Sequence, residues 1–253
     1  MSISAQNLSY VFPNGLVGIH PTSFDLPPGS RTLLIGANGA GKSTLLRILA
    51  GKTLAKADSL IVQGFDPFRD CSPPGIRYLG TEWAGNPIVR HDIEVTQLLK
   101  YAGGDAYPDR RDHLVQLLDV DPTWHMHEVS DGERRRVQLV MGLLVPWETL
   151  LLDEVTVDLD VLARTNLLNF LKEETETRQA TIVYATHIFD GLNEWPTHVA
   201  HMSQSTMLSC EPYGKVKEQF PGKSILEIAL RWITGDMERR GPRQPRAKRQ
   251  KVN

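Results

Sequence analysis

Residues 36–44 read GANGAGKST, with four residues separating Gly36 from the run Gly41-Lys42-Ser43. That spacing suits a loop whose backbone N–H groups wrap phosphate oxygens, since glycine puts no Cβ in the way. A helix opening here adds its positive dipole end. Lys42 is placed to reach β- and γ-phosphates, and the Ser43 hydroxyl to ligate Mg²⁺. Asn38, Gly39, Ala40 and Thr44 complete the candidate cradle. An acidic pair, Asp153-Glu154, closes the apolar run Leu150-Leu151-Leu152. A buried strand there delivers Asp153 to the carboxyl edge of a sheet, where it can hold Mg²⁺ through water. Glu154 then stands where it can orient or deprotonate an attacking water.

The elements that must position these groups are legible in part. Residues 31–35 form a short apolar run before the glycine loop, hence a buried strand, and 43–50 show helical spacing that stops at Gly51. Strands are expected at 3–12, 59–62, 77–79, 149–152 and 181–185. Helices are expected at 94–101, 109–118, 131–144, 161–176 and 224–233. The alternation at both ends predicts an α/β fold with a largely parallel sheet, and three successive helices mark an inserted helical subdomain at about 80–145. Ser130 with Glu133 three residues on makes a capping box for the helix at 131–144. Trp83, Trp124 and Trp147 read as packing residues of the insert rather than a docking patch.

The chain has 253 residues and a hydrophobic content of 41%, which fits one globular α/β domain at 1–238 and excludes disordered or collagen-like classes. No apolar run spans a membrane and no leader peptide is evident. The two cysteines, Cys71 and Cys210, fit no metal or disulfide spacing and read as free thiols. Residues 239–253 carry seven basic and no acidic side chains, leaving 21 basic and 30 acidic in the preceding 238. The acidic body argues against a dedicated nucleic-acid surface. The basic tail is expected to be disordered, a weak nucleic-acid arm at most. Its Lys248-Arg249-Gln250-Lys251 run fits a nuclear-import pattern.

From about residue 3 to 233 the chain resembles the nucleotide-binding domain of ABC ATPases. Val129 to Leu139, VSDGERRRVQL, resembles that family's signature loop and helix. The resemblance implies that Ser130 and Gly132 contact the γ-phosphate held by a second copy, with Asp131 in place of a glycine. It implies that His187, after the strand at 181–185, is the switch histidine, that Asp160 is the D-loop aspartate, and that Tyr10 stacks on adenine. The Q-loop glutamine is absent after Ile76-Arg77-Tyr78-Leu79, so Thr81 or Glu82 is the candidate to fill its place near the metal. An antiparallel N-terminal β subdomain is implied as well. The segment YLGTEW and the run SDG-x-RRRVQ resemble a small soluble subgroup without a membrane part. In fungi that subgroup is associated with the carbon-catabolite-repression/Not complex, a deadenylase and transcription-regulatory assembly. The implied activity is Mg-ATP binding and hydrolysis in an ATP-dependent homodimer, with Glu154, His187 and Lys42 as catalytic groups, in cytoplasm and nucleus. Two alternatives stay open: the ATP-binding subunit of a transporter with a separate permease chain, and a slowly hydrolysing, nucleotide-gated scaffold.

Overall fold

A computed structural model describes residues 2–69, 75–80 and 91–242. Cys71, Thr81, Glu82, Trp83 and the basic run 248–251 lie outside these residues. Nine strands and seven α-helices follow in the order β1 (Ile3–Val11), β2 (Val17–Leu26), β3 (Arg31–Ile35), α1 (Lys42–Leu49), β4 (Ser59–Val62), β5 (Ile76–Leu79), α2 (Val95–Tyr101), α3 (Pro108–Leu117), α4 (Asp131–Leu144), β6 (Thr149–Asp153), α5 (Val161–Arg178), β7 (Thr181–Ala185), β8 (His198–Ser203), β9 (Thr206–Pro212), α6 (Tyr213–Gln219) and α7 (Ile225–Arg240), counted among the described residues. β1, β2 and β4 form an antiparallel sheet with β1 central. The larger sheet has the order β5-β6-β7-β3-β8-β9, parallel throughout except for the β8–β9 pair. The expected α/β class, with a mainly parallel core and an antiparallel N-terminal sheet, is what forms.

The central strands are apolar because both faces are covered. Leu33, Ile35, Leu150, Leu152, Ile182 and Tyr184 face the helical layer of α4 and α5. Leu34, Leu151, Val183 and Ala185 face α1 and the antiparallel sheet. Side chains alternate between the two cores with the period of a strand. α2, α3 and α4 follow one another between β5 and β6, as the sequence predicts. Trp147 is fully buried and Trp124 packs against the same core. Cys210 is a free thiol on β9, its pKa pushed up to about 11 by burial.

Four elements went unassigned in the sequence: β2, β8, β9 and α6. β2 carries Pro21, tolerated because β2 is an edge strand of its sheet. β8 and β9 are joined by Gln204 and Ser205, both left-handed at φ 47° and 63°. Two such residues make the favoured tight hairpin, but Gln-Ser lacks the Asn-Gly signal that announces one. α7 runs through Arg240, farther than the 224–233 expected. Arg239 and Arg240, which the sequence reading assigned to a disordered tail, are therefore helical. Arg239 pairs with the buried Asp236, which also meets His201 of β8 at 2.8 Å.

Arg110 joins three helices. Its guanidinium donates to both Glu174 oxygens, at 2.8 and 2.9 Å, and to the Leu143 carbonyl at 2.9 Å. Burial would raise the Glu174 carboxyl, but hydrogen bonds and charge from Arg110 and Arg178 outweigh it and hold it below the usual value. Arg110→Ala leaves Glu174 half-paired in the interior and should cost about 3 kcal/mol by urea unfolding at neutral pH. Because the native Glu174 value is depressed, its stabilisation is present above the unfolded carboxylate value and is lost as pH falls through the native one. The difference between wild type and Arg110→Ala should therefore narrow in acid.

Candidate functional site

The chemistry sits where β3, β6 and β7 end. Asp153, last in β6, pairs in register with Ala185, last in β7. The turn after β3 runs into α1, whose N-cap Gly41 has φ 101°. A Cβ on Gly36 would lie 2.2 Å from the Met202 carbonyl oxygen of β8, so only glycine lets the loop pass this close. Ser205, at the tip of the β8–β9 hairpin, donates its N–H to the Ala40 carbonyl at 3.1 Å and its hydroxyl to Val17 at 3.2 Å. The hairpin thereby braces the glycine loop against β2. No sequence signal marked Ser205.

Ser43 Oγ donates to Asp153 Oδ1 at 3.1 Å, and the Tyr78 hydroxyl donates to Asp153 Oδ2 at 3.1 Å. Burial is the main reason the Tyr78 phenol is pushed up to about 12, so it stays a donor. Tyr78 was quoted in the sequence only as part of the β5 motif. Lys42 Nζ donates to the Gly36 carbonyl at 2.6 Å and lies 3.3 Å from that of Ala37. Burial lowers its pKa, against the opposing charges of Glu154 and Asp153.

Glu154 has φ 55°, in the left-handed region, where an L side chain costs about 1–3 kcal/mol. Its N–H donates to the Ala185 carbonyl at 2.9 Å, which holds it in that conformation. One carboxylate oxygen accepts the His187 backbone N–H at 3.2 Å. The other lies 3.1 Å from His187 Nε2 without hydrogen-bond alignment and is buried with no partner. Burial is the first cause that raises the Glu154 pKa, and Asp153 adds to it, while the His187 N–H and Lys42 oppose. Burial first and the Lys42 charge second push the His187 imidazole below its ordinary value, against Asp153.

Lys42, Ser43, Glu154 and His187 line one open cleft of about 390 Å³, within the range of small-molecule sites, with Asp153 behind Ser43. Asn38, Gly39, Ala40, Gly41, Lys42, Ser43 and Thr44 form its floor, and Glu154, His187, Ser205, Phe12 and Gly18 its walls. Tyr10 does not line it. Tyr10 packs edge-on to Phe12 at 4.9 Å and joins the core between the sheets, while Phe12 presents its ring to the cleft. Tyr10, expected against adenine, thus stands behind Phe12, which follows the last residue of β1 and is the aromatic among the residues lining the cleft.

The signature residues lie elsewhere. Ser130 caps α4, accepting from the Glu133 N–H at 3.3 Å and donating its own N–H to the Glu133 carboxylate at 2.8 Å. Asp131 is paired with Arg134 at 2.5 Å, which offsets the charge that replaces a glycine. Asp160 caps α5 and pairs with Arg136, and Arg135 lies 3.5 Å from Asp158. The basic run of α4 thus holds the D-loop carboxylates. Ser130, Gly132 and Asp160 are not among the residues lining the phosphate cleft of the same chain.

The residues present fit Mg²⁺ and a triphosphate. A hydroxyl and a carboxylate face each other 3.1 Å apart, and a Cβ on Gly39 would meet nothing within 4 Å, so the space over the glycine loop is open to an anion. A phosphate loop between strand and helix, joined to an Asp-Glu strand end on a parallel sheet, defines a P-loop ATP-binding domain. The ABC transporter family model matches residues 19–157, and the chain belongs to that family. It is 47% identical over 230 residues to CCR4-associated factor 16 of Saccharomyces cerevisiae, covering 85% of this chain and 80% of that protein. It is 44% identical over 245 residues to ABC transporter I family member 20 of Arabidopsis thaliana, covering 93% and 73%. Among solved structures, an ATP-binding subunit of an ABC transporter superposes with TM-score 0.79 at 19% identity, covering 92% of this chain and 99% of that one. The dimeric ATP-binding cassette MJ0796 bound to ADP and Pi superposes with TM-score 0.70 at 15% identity, covering 83% and 98%. At these identities the structural likeness speaks for the fold.

The Lys42 charge is one of two causes that depress His187. Lys42→Met should move the His187 titration midpoint upward in imidazole NMR, leaving it still below an exposed histidine because burial remains. An unmoved midpoint would separate the two side chains electrostatically.

Proposed function

We propose that the protein is an ABC-type ATPase that hydrolyses Mg-ATP between two copies of the chain and serves as a regulatory subunit of a transcription or mRNA-deadenylation assembly. The convergence of Lys42, Ser43, Asp153, Glu154 and His187 on one cleft carries the catalytic part. ATP enters as substrate, its phosphates replacing the Gly36 and Ala37 carbonyls as partners of Lys42 Nζ. Phe12 offers its ring to the base. Ser43 Oγ and Asp153 would hold Mg²⁺, and Thr81 or Glu82 remains a candidate to approach it. When bound, Mg²⁺ offsets phosphate charge and orients the γ-phosphoryl group. Glu154 accepts a proton from water through its unpartnered oxygen as that water attacks the γ-phosphorus and ADP leaves. His187, neutral at pH 7, donates or accepts at the γ-phosphate edge. Ser130 and Gly132, remote from the cleft of their own chain, complete the cleft of a second copy, with Asp160 at the same junction.

The regulatory part is supported by the relative named CCR4-associated factor 16. Among the described residues no helix is long and apolar enough to cross a membrane. The proposed setting is cytoplasm and nucleus, with the basic tail as import signal and at most a weak nucleic-acid contact. A transporter subunit is the second reading, favoured by the Arabidopsis relative named as an ABC transporter.

Glu154→Gln should keep ATP binding and lower turnover roughly a hundredfold or more. Wild-type turnover should fall, on acidification, at a pH above the ordinary carboxylate range, since the base form of Glu154 is lost through a raised value. Phe12→Ala should weaken ATP binding about tenfold, the loss of one base–aromatic stack. Glu154→Gln purified from its native cell should carry deadenylase or transcription subunits. A multi-span membrane protein in their place would make the chain a transporter motor.

A further inference from the structure

Away from the phosphate cleft, three side chains converge on the region that contains α2 and α4. His125 Nδ1 lies 2.5 Å from Asp92 Oδ1, and His127 Nδ1 lies 3.3 Å from the same oxygen. The donor atoms of all three residues lie within 4.8 Å of one another. The backbone sets this arrangement. Met126 N–H donates to the Ile93 carbonyl at 2.9 Å, Val95 N–H donates to the Trp124 carbonyl at 2.9 Å, and Glu94 bridges antiparallel to His125. Met126 and Val95 are fully buried and Ile93 packs on the same core. Extended chain sends alternate side chains to opposite sides, so burying Met126 brings His125 and His127 out together, beside Asp92.

We propose that Asp92, His125 and His127 form a binding site for a divalent transition-metal ion of the zinc class. Two imidazole nitrogens and one carboxylate oxygen suit zinc and its neighbours and not Mg²⁺, which prefers an all-oxygen shell. Ligand atoms about 2.0–2.2 Å from a tetrahedral zinc lie about 3.3–3.5 Å apart. The His127–Asp92 spacing already matches, and the His125–Asp92 hydrogen bond gives way to the ion by opening about 0.8 Å. All three residues are exposed, which leaves an entry path and room for water as a further ligand. The site ties the chain entering α2 to the segment that ends at Ser130, so an ion there stiffens the start of the signature helix. The role is structural, separate from the Mg²⁺ expected at Ser43 and Asp153.

The test uses the full chain, free of affinity-tag histidines, stripped with chelator and held without nucleotide. Titration with zinc chloride alone in a calorimeter should show one saturable site per chain. His125→Ala and His127→Ala should each weaken it by at least about a hundredfold, beyond the loss of an outer-shell partner. His20→Ala, which removes an exposed histidine elsewhere, should leave it unchanged. Zinc should also slow amide exchange over 92–95 and 124–130. The absence of saturable uptake, or undiminished uptake in the His125→Ala/His127→Ala double variant, would overturn the site and leave a hydrogen-bonded surface cluster. The substitutions lie on the surface, so equal melting temperatures without metal serve as the check that folding is intact.

Discussion

Backbone pairing among the buried parallel strands β6, β7 and β3 positions every charged group in the phosphate cleft. Asp153 stands opposite Ala185, and Ala185 stands opposite Leu34 in the neighbouring ladder. A slip of one residue would turn Leu151 and Val183 into the wrong core and carry Asp153 away from Ser43. The two apolar layers, one on each face, forbid that slip. The hydrogen bond between Ser43 and Asp153 is therefore a readout of packing some distance below it. Glu154 takes the next step, leaving the ladder through a left-handed residue whose N–H remains tied to the Ala185 carbonyl. Strain at that residue is tolerated because β6, which it leaves, and β7, to which its N–H is tied, are fully buried and paired.

The second organising feature is the set of arginines on α4. Arg134 holds Asp131 and the carbonyls before the helix, Arg135 reaches Asp158 and the Gly80 carbonyl, and Arg136 bridges Asp119 and Asp160. Gln138 reinforces the Gly80 contact at 3.1 Å. Signature helix, D-loop and the end of β5 are thus one connected polar assembly. Any movement of α4 must carry Asp158 and Asp160 with it or break partly buried ion pairs. Coupling between α4 and the 158–160 segment thus has a physical basis in these ion pairs.

Much of the cleft was legible because its chemistry demands local sequence. A phosphate cradle needs glycines and a lysine at fixed offsets within nine residues, and an Asp-Glu pair at a buried strand end needs only the apolar run before it. The helix at 131–144 was legible for the same reason, since capping by Ser130 is a contact between near neighbours. Phe12, Tyr78 and Ser205 were not. Tyr78 and Ser205 acquire their positions from partners far along the chain, Asp153 across the β5–β6 ladder and Ala40 from the hairpin tip, and Phe12 packs beside Gly18 across the β1–β2 turn. Tyr10 and Phe12 show the limit sharply, because two aromatics lie two positions apart at the end of β1 and only the fold says which of them lines the cleft.

By itself the sequence determined the class of fold, the glycine loop, the acidic pair at the end of β6 and the order of most strands and helices. All of these depend on interactions within one element or one turn. Tertiary structure alone decided the edge position of β2, the β8–β9 hairpin that braces the loop, and the ring that faces the cleft. It also kept Ser130, Gly132 and Asp160 out of the lining of the cleft. Those features arise where segments distant in sequence compete for the same space, and the competition is settled by burial and register, which no local pattern encodes.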